Sequence, residues 1–515
     1  MTYEPPEQLN IADFFLDDRV REGRGGRIAV RTDSASFTFA EVQQLANRYA
    51  NLLTGTGAEP EHRVLIALPD GPDYVGALFG ALKLGAVVVM ANPGLEGAEV
   101  KALLDYTRAR VVVTHREGAA NFLAAARDAR HVKETLVVGG SDWSRCIASL
   151  SPVFENALTH RDDAAIWLFS GGTTGIPKAV VQTHRSFAYT TECYARDVIG
   201  YGEDDITLAV PKLYFGYATG SNLFFPFRAG ASTVLFPEPA TVDAVFDRIR
   251  RFRPTVLINV PTMINRMVSH PAAAEQDLSS LRLCTSAGEA LPEELDRRWR
   301  DTFAVDLLDG LGTAEMWHIF ISNRPGAAHP GTLGQVVPGF EVKVCGDDGA
   351  ELPRGETGWL WVRGGARAIA YWRHQEKTER GFRGEWYVSG DLIRMDAEGY
   401  VTYHGRGDEM LKVAGKWLAP AEVEGCLLQH PAVSEAAVVG RHDASGLMKP
   451  VAYVVAHEQR PGLDEELRAF VRDRLDAYKH PREVHFVAAL PRTHLGKVDR
   501  GLLRRGTGSG ADRGA

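Results

Sequence analysis

The sequence predicts a mixed α/β protein: a large N-terminal domain of packed α/β sheets with a β-rich subdomain, joined to a small α+β C-terminal domain. Three observations predict it. Over the first two-thirds of the chain, continuous apolar strand-like runs alternate with helix-like segments, the pattern of parallel sheets covered on both faces. From about residue 351 the texture changes to short strands and turns. A second break falls at Gly405-Arg406-Gly407-Asp408, and the roughly one hundred residues beyond it suffice for a small domain.

Taken in order, residues 63–68 read as a buried strand, 73–85 as an apolar helix and 86–90 as the next strand. Residues 110–113, 135–138, 165–169, 256–260, 281–285 and 305–308 continue the strand series. Residues 358–363 and 399–403 supply short strands to the β-rich piece. Beyond the break come a helix at 420–429, strands at 436–440 and 450–456, a helix at 464–475 and a strand at 483–486. The boundaries follow as 1–407, 408–505 and a Gly-rich tail, 506–515, expected to be flexible.

A length of 515 residues with 45% hydrophobic and 24% charged residues excludes a disordered or fibrous chain. The longest apolar stretch, 75–90, contains Lys83 and falls short of the roughly 20 apolar residues that span a bilayer. Residues 1–18 carry prolines and acids where a secretory signal needs a basic flank and an apolar run. The expectation is a cytoplasmic protein with no membrane partner. A formal charge of −8 argues against a nucleic-acid partner and leaves an anionic small ligand open. The five cysteines form no CxxC pair, so reduced core thiols are expected rather than disulfides or zinc.

Chemistry is concentrated in a few motifs. The strand at 165–169 runs into Ser170-Gly171-Gly172-Thr173-Thr174-Gly175-Ile176-Pro177-Lys178. Glycines let backbone N–H groups approach an anion, the threonines add donors and the lysine adds charge, which are the parts of a phosphate cradle. An ordinary Gly/Ser/Thr turn is the competing explanation. The loop is no Walker motif, because two residues separate Gly175 from Lys178. Gly310-Leu311-Gly312 follows another apolar run, but Glu315 stands where a dinucleotide fingerprint needs its third glycine.

Together these runs resemble the adenylate-forming superfamily of acyl-CoA ligases, aryl-acid activating enzymes and luciferases. Residues 170–178 resemble its phosphate loop, Asp309-Gly310-Leu311-Gly312-Thr313-Ala314-Glu315 its second nucleotide motif, and Tyr387-Val388-Ser389-Gly390-Asp391 its ribose motif. Residues 405–408 resemble its hinge, and Pro491-Arg492-Thr493-His494-Leu495-Gly496-Lys497 its terminal lysine motif. Within the superfamily, residues 212–217, 315–320 and 410–417 look most like benzoate-CoA ligases.

The resemblance implies ATP, Mg²⁺ and coenzyme A, a hydrophobic carboxylic acid, and two steps: acyl-adenylate formation, then rotation of a mobile C-terminal lid and displacement of AMP by the CoA thiol. Lys497 would bridge carboxylate and α-phosphate, and Glu315 would bind Mg²⁺. Ser170, Gly172, Thr173, Thr174, Gly175 and Lys178 would hold the phosphates, with Gly288, Asp309, Gly310 and Leu311 also at the nucleotide. Asp391 would accept from the ribose hydroxyls with Arg406 assisting. Asp408 would be the hinge, and Gly415 and Lys412 would meet CoA. The acid would sit among Gly216, Tyr217, Ala287, Gly288, Gly312, His318 and Ile319. His318 reads equally as a core histidine and as a pocket residue, and Tyr214 and Phe215 equally as core packing and as aromatic wall.

Several positions depart from the resemblance. Gly216 replaces the usual alanine of benzoate enzymes, which enlarges the pocket slightly. Gly171 and Ala179 differ from many relatives, and Ala314 stands where the pattern has a threonine that contacts the α-phosphate. Losing one preorganised donor costs about 2.7–4 kcal/mol, or roughly 10²–10³ in rate. A chain with that loss could be an enzyme impaired in adenylation that takes a ready-made adenylate, supplied by a separate adenylating enzyme; Lys497 speaks against it. The same fold could also load an acyl group onto a carrier protein, or sense a nucleotide without catalysis.

Overall fold

The computed structural model describes residues 3–170, 178–413, 416–443, 446–492 and 498–505. Two large sheets dominate. The first has seven strands in the order Ala370–Tyr371, Lys178–Thr183, Ala164–Ser170, Val87–Met90, Arg63–Ala67, Val111–His115, Glu134–Val138. Its last five strands pair in parallel and its first three antiparallel. The second has nine strands and centres on the parallel run Leu307–Gly312, Leu283–Ser286, Val256–Asn259, Ile206–Ala209, Ser232–Val234, Ile28–Arg31. Antiparallel strands close it at both edges. The central strands of both sheets are bare Val/Ile/Leu runs because both of their faces are buried.

Residues beyond about 341 build a five-stranded antiparallel sheet in which Trp386–Met395 lies between Thr357–Arg363 and Val401–Arg406. After Arg406 a hairpin, Leu411–Val413 with Lys416–Leu418, leads into a three-stranded sheet of Val433–His442, Met448–Ala456 and Glu483–Phe486. Helices Pro420–Leu428 and Leu463–Arg472 accompany that sheet. Its apolar clusters draw on residues from 411 onward alone, whereas the larger clusters stop at 403. The tail expected to be flexible, 506–515, lies outside the described residues.

The structure corrects three sequence-based expectations. The strand expected at 305–308 is Leu307–Gly312, so the Gly310-Leu311-Gly312 run lies inside a strand instead of following one. The strand expected at 399–403 runs on to Arg406, which sets it opposite Asp391. Cys146 is exposed, while the other four cysteines are free and buried as expected.

Helix Pro72–Lys83 shows why the longest apolar stretch carries a lysine. Proline at its first turn and a run of Ala, Leu and Phe favour the helix, and every residue from Tyr74 to Lys83 is buried. The Lys83 ammonium pairs with Asp17, and the side chains are 1% and 5% exposed. Asn156 donates to the same carboxylate at 2.6 Å. No described helix is long and apolar enough to cross a membrane. Removing one partner of a buried pair leaves the other charge uncompensated, at about 3–5 kcal/mol. Asp17→Ala should lower the urea-unfolding free energy of the large domain by that amount, and Asp17→Leu with Lys83→Met should recover most of it.

Candidate active site

A cavity of about 430 Å³ lies between the two large sheets. The seven-stranded sheet contributes Met90, Leu168 and Phe169; the nine-stranded side contributes Tyr217, Ala287, Gly288, Gly312 and Ile319. All seven residues placed around the acid by sequence line it, His318 included, together with Tyr214 and Phe215. A further wall comes from helix Gly97–Thr107, through Ala98, Glu99, Ala102, Leu103 and Tyr106. From sequence alone this segment carries no assigned role.

The hairpin from Leu307 to Ser322 shapes the core of the site. Leu307, Leu308 and Asp309 pair in parallel with Leu283–Ser286, then Gly310 to Gly312 turn to antiparallel pairing with Ile319–Ser322. A Cβ on Gly312 would stand 2.5 Å from the His318 carbonyl oxygen, so only glycine allows this approach. At the tip, Trp317 takes φ +60, a strained value for a bulky residue. Packing holds it there: its ring lies 4.5 Å from Phe187 and 5.5 Å from Phe225.

His318 satisfies both of its readings. It lines the cavity, yet its Nε2 lies 3.1 Å from the Tyr217 carbonyl oxygen and 3.2 Å from Ser221 Oγ. A carbonyl only accepts, so the hydrogen-bond network assigns the ring proton to Nε2. Burial pushes the imidazole pKa down to about 3, so the ring is neutral. The Tyr217 hydroxyl in turn meets Thr285 Oγ1 at 2.7 Å.

Next to the cavity-lining Ala314 in sequence begins a polar cluster whose members, Glu315, Lys178, Asp391 and Arg406, are not part of the cavity lining. Glu315 is 4% exposed and accepts a 2.7 Å hydrogen bond from the Tyr371 hydroxyl at Oε1. Its Oε2 has no hydrogen bond among the described residues. Lys178 Nζ stands 4.5 Å from the centre of the Tyr371 ring, and burial pulls its pKa down against the opposing pull of Glu315. Asp391, also 4% exposed, accepts from the hydroxyls of Ser389 and Tyr403. Arg406 Nη1 lies 3.7 Å from Asp391, and Arg406 Nε donates to Asp408 at 3.3 Å. Burial opposes the charge on Arg406, but Asp391 and Asp408 outweigh it and raise its pKa.

This donor set suits a magnesium–nucleotide complex. One carboxylate oxygen with a free companion, beside a lysine, is what Mg²⁺ needs when phosphates and water fill its other positions. Among the described residues no group of three or more acids, histidines or cysteines forms a self-contained metal cage.

Other sequence-based sites are placed differently. Asp309 and Gly310 are buried in the sheet and do not line the cavity; burial raises the Asp309 pKa well above the carboxylate range. Leu311, opposite Ile321, is half-buried. Ser170 pairs with Lys178 across the mouth of the loop, and its hydroxyl has no partner among the described residues. Lys412 is exposed, its ammonium 5.6 Å from the Trp417 ring, and neither it nor Asp408 reaches the cavity wall. Gly171, Gly172, Thr173, Thr174, Gly175, Gly415 and Lys497 lie outside the described residues.

Two of the departures gain a physical account. A Cβ on Gly216 would meet Leu168 Cδ1 at 3.2 Å, so Leu168 takes up much of the room the missing methyl was expected to open. Ala314 lines the cavity, and its carbonyl accepts from Gln182 Nε2 at 2.6 Å. The neighbouring Thr313 hydroxyl is engaged at 3.3 Å by the Met316 N–H.

Comparison with known proteins agrees with this arrangement. The AMP-binding enzyme family matches residues 16–372, and the AMP-binding enzyme C-terminal domain matches 422–497. The chain is 40% identical to benzoate–CoA ligase of Thauera aromatica over 97% of its own length and 96% of the relative's. It is 37% identical to 4-hydroxybenzoate–CoA/benzoate–CoA ligase of Rhodopseudomonas palustris, covering 99% of this chain and 96% of that one. The crystal structure of the anthranilate CoA ligase AuaEII with anthranoyl-AMP superposes with a TM-score of 0.94 at 38% identity, over 98% of each chain. The chain belongs to the AMP-binding, adenylate-forming enzyme family.

Tyr371 escaped the sequence reading because nothing in its local sequence ties it to Glu315, 56 residues away. Tyr371→Phe removes a hydrogen bond to a charged, buried acceptor, worth about 1.5–3 kcal/mol. A matching loss in unfolding free energy is expected, and it should shrink when Glu315→Gln is made in the same protein.

Proposed function

We propose that the chain is an acyl-CoA ligase for an aromatic carboxylic acid, forming the thioester through an acyl-adenylate. The observation that carries this reading is the turn at 312–319: Ala314 lines an apolar cavity with aromatic sides, and the next residue, Glu315, accepts from Tyr371, whose ring lies beside the Lys178 ammonium. An apolar, mostly uncharged wall suits a benzoate-like ring, while the cations and donors beside it suit a triphosphate. The relatives of nearly the same length act on benzoate and hydroxybenzoate by name.

In the first step a carboxylate oxygen attacks the α-phosphorus of ATP and the bond to pyrophosphate breaks. In the second the CoA thiol, losing its proton, attacks the acyl carbon and AMP leaves. Mg²⁺ supplies charge neutralisation at the phosphates when bound. We assign Glu315 to that ion, Lys178 with Thr173 and Thr174 to the phosphates, Asp391 and Arg406 to the ribose side, and Lys497 to the carboxylate and α-phosphate. In this reading the body is 1–407 and the lid 408–505, hinged at Asp408, with Lys412 and Gly415 meeting the pantetheine arm. The setting is the cytoplasm, where ATP and CoA are both available.

The methyl of Ala314 at the cavity wall favours a second reading, in which adenylation is slow and a separately made aryl-adenylate is the better substrate. The test is a panel of aromatic acids with ATP, and of their synthetic adenylates without it, read by mass spectrometry for CoA esters. Ester from neither source, with any aromatic acid, overturns the ligase reading. Efficient pyrophosphate release from acid and ATP overturns the second reading.

Two substitutions sharpen this. Ala314→Thr should raise the adenylation rate roughly 10²–10³-fold if the missing donor limits it, with thioesterification of synthetic adenylate unchanged. Gly216→Ala should fold normally by displacing Leu168, and should lower kcat/KM for ring-substituted acids roughly tenfold relative to benzoate.

A further inference from the structure

The aromatic wall at residues 214–217 hangs from one peptide. Leu213 is fully buried, and both of its backbone groups are held by side chains. Its N–H donates to Asp70 Oδ1 at 2.9 Å. Its carbonyl accepts from the Tyr74 hydroxyl at 3.0 Å and also from the Thr219 hydroxyl. Tyr214, Phe215, Gly216 and Tyr217, the next four residues, all line the cavity.

Asp70 and Tyr74 belong to the other side of the molecule. They follow strand Arg63–Ala67 of the seven-stranded sheet, whereas Leu213 follows strand Ile206–Ala209 of the nine-stranded one. The clamp therefore ties together the two sheets between which the cavity lies. Asp70 is 6% exposed, and no described cation lies within ion-pairing distance of it. The cation that acts on it from farther off, Lys212, is directed elsewhere: its ammonium donates to the Phe236 carbonyl at 2.8 Å and stands 3.5 Å from the Phe236 ring centre. Burial lifts the Asp70 carboxyl to about 6. A carboxylate kept in so poor a solvent needs a local reason, and the one peptide it holds is the root of the acyl wall.

We propose that Asp70 is a positioning residue for acid binding, acting through the Leu213 peptide on the wall formed by Tyr214 to Tyr217. This rests on the reading of the cavity as the acyl site. Without the carboxylate the Leu213 N–H is buried and unpaired, and the turn relaxes at the wall and not at the nucleotide groups.

The test compares Asp70→Ala with Asp70→Asn, which keeps an acceptor oxygen in place, using benzoate, ATP and CoA. Asp70→Ala should raise the KM for the acid roughly tenfold and leave the KM for ATP unchanged, and Asp70→Asn should stay within about threefold of the parent. An unchanged acid KM in Asp70→Ala, or an equal rise in both KM values, overturns the proposal, as does an Asn variant that folds but fails like Ala. If Asp70→Ala does not fold, Tyr74→Phe loosens the same peptide from its carbonyl side; a smaller rise confined to the acid KM supports the clamp, and no rise overturns it. Thioester formation by the parent from acid or adenylate is measured in parallel, so failure of the ligase reading shows in the parent and failure of the clamp only in the variants.

Discussion

Where the backbone of Gly312 passes the carbonyl of His318, no side chain fits between them. That contact forces the chain to fold back on itself within six residues. Thr313 and Ala314 on one arm and Trp317, His318 and Ile319 on the other all line the cavity, while Glu315 between them turns away to meet the Tyr371 hydroxyl. The left-handed Trp317 at the tip would not survive alone, but the phenylalanine rings around it make any other position more costly. The cavity and the Glu315 carboxylate sit on neighbouring residues of one turn because one glycine permits a tight return.

The same geometry manages an electrostatic conflict. A carboxylate and a triphosphate repel, and an apolar cavity worsens the repulsion by lowering the dielectric. The protein keeps the two demands apart: the charged cluster does not line the cavity. The cavity side is mostly apolar, with Glu99 on its helical wall and a histidine that burial keeps unprotonated. The charged cluster holds Lys178, Glu315, Asp391 and Arg406; Tyr371 joins the first two, its ring beside the ammonium and its hydroxyl on the carboxylate, and the Tyr403 hydroxyl donates to Asp391. Phenols suit this position: their faces attract a cation while their hydroxyls donate to a carboxylate.

How much of this was legible in the sequence depends on how local each signal is. Strands such as Arg63–Ala67 and Val111–His115 announce themselves, because burial on both faces leaves an unbroken β-branched run. The edge strands Gln335–Val336 and Ala370–Tyr371 are two residues long and carry no periodicity to read. The cavity-lining residues 216–217, 287–288, 312 and 318–319 were picked out through motif likeness, since they cluster in three short stretches. Tyr371, Tyr106 and Asp70 were not: each acts on a partner 56 to 266 residues away in sequence. The effect of Gly216 was misjudged for a related reason. Removing a methyl suggests free room, but a flexible leucine from the other sheet moves into it, and only packing shows that.

The lid is attached in a way that suits the rotation proposed for it. Its apolar clusters are its own, so turning it exposes no shared core. Among the described residues it meets the body through polar contacts, with Asn265 donating to the Ser434 carbonyl at 2.7 Å and Arg266 pairing with Glu435 at 2.7 Å. Partly exposed pairs of this kind are worth about 0–1 kcal/mol each, little enough to exchange for water and back. Arg406 stands at the proposed boundary with a different pair of obligations: the Asp391 side chain is buried on the body, and Asp408, its side chain 48% exposed, lies on the side proposed to move. In the proposed rotation at Asp408 the exposed partner is surrendered cheaply while the buried Asp391 keeps the guanidinium in place. An arginine shared between a buried acid and an exposed one thus suits the hinge proposed at its side.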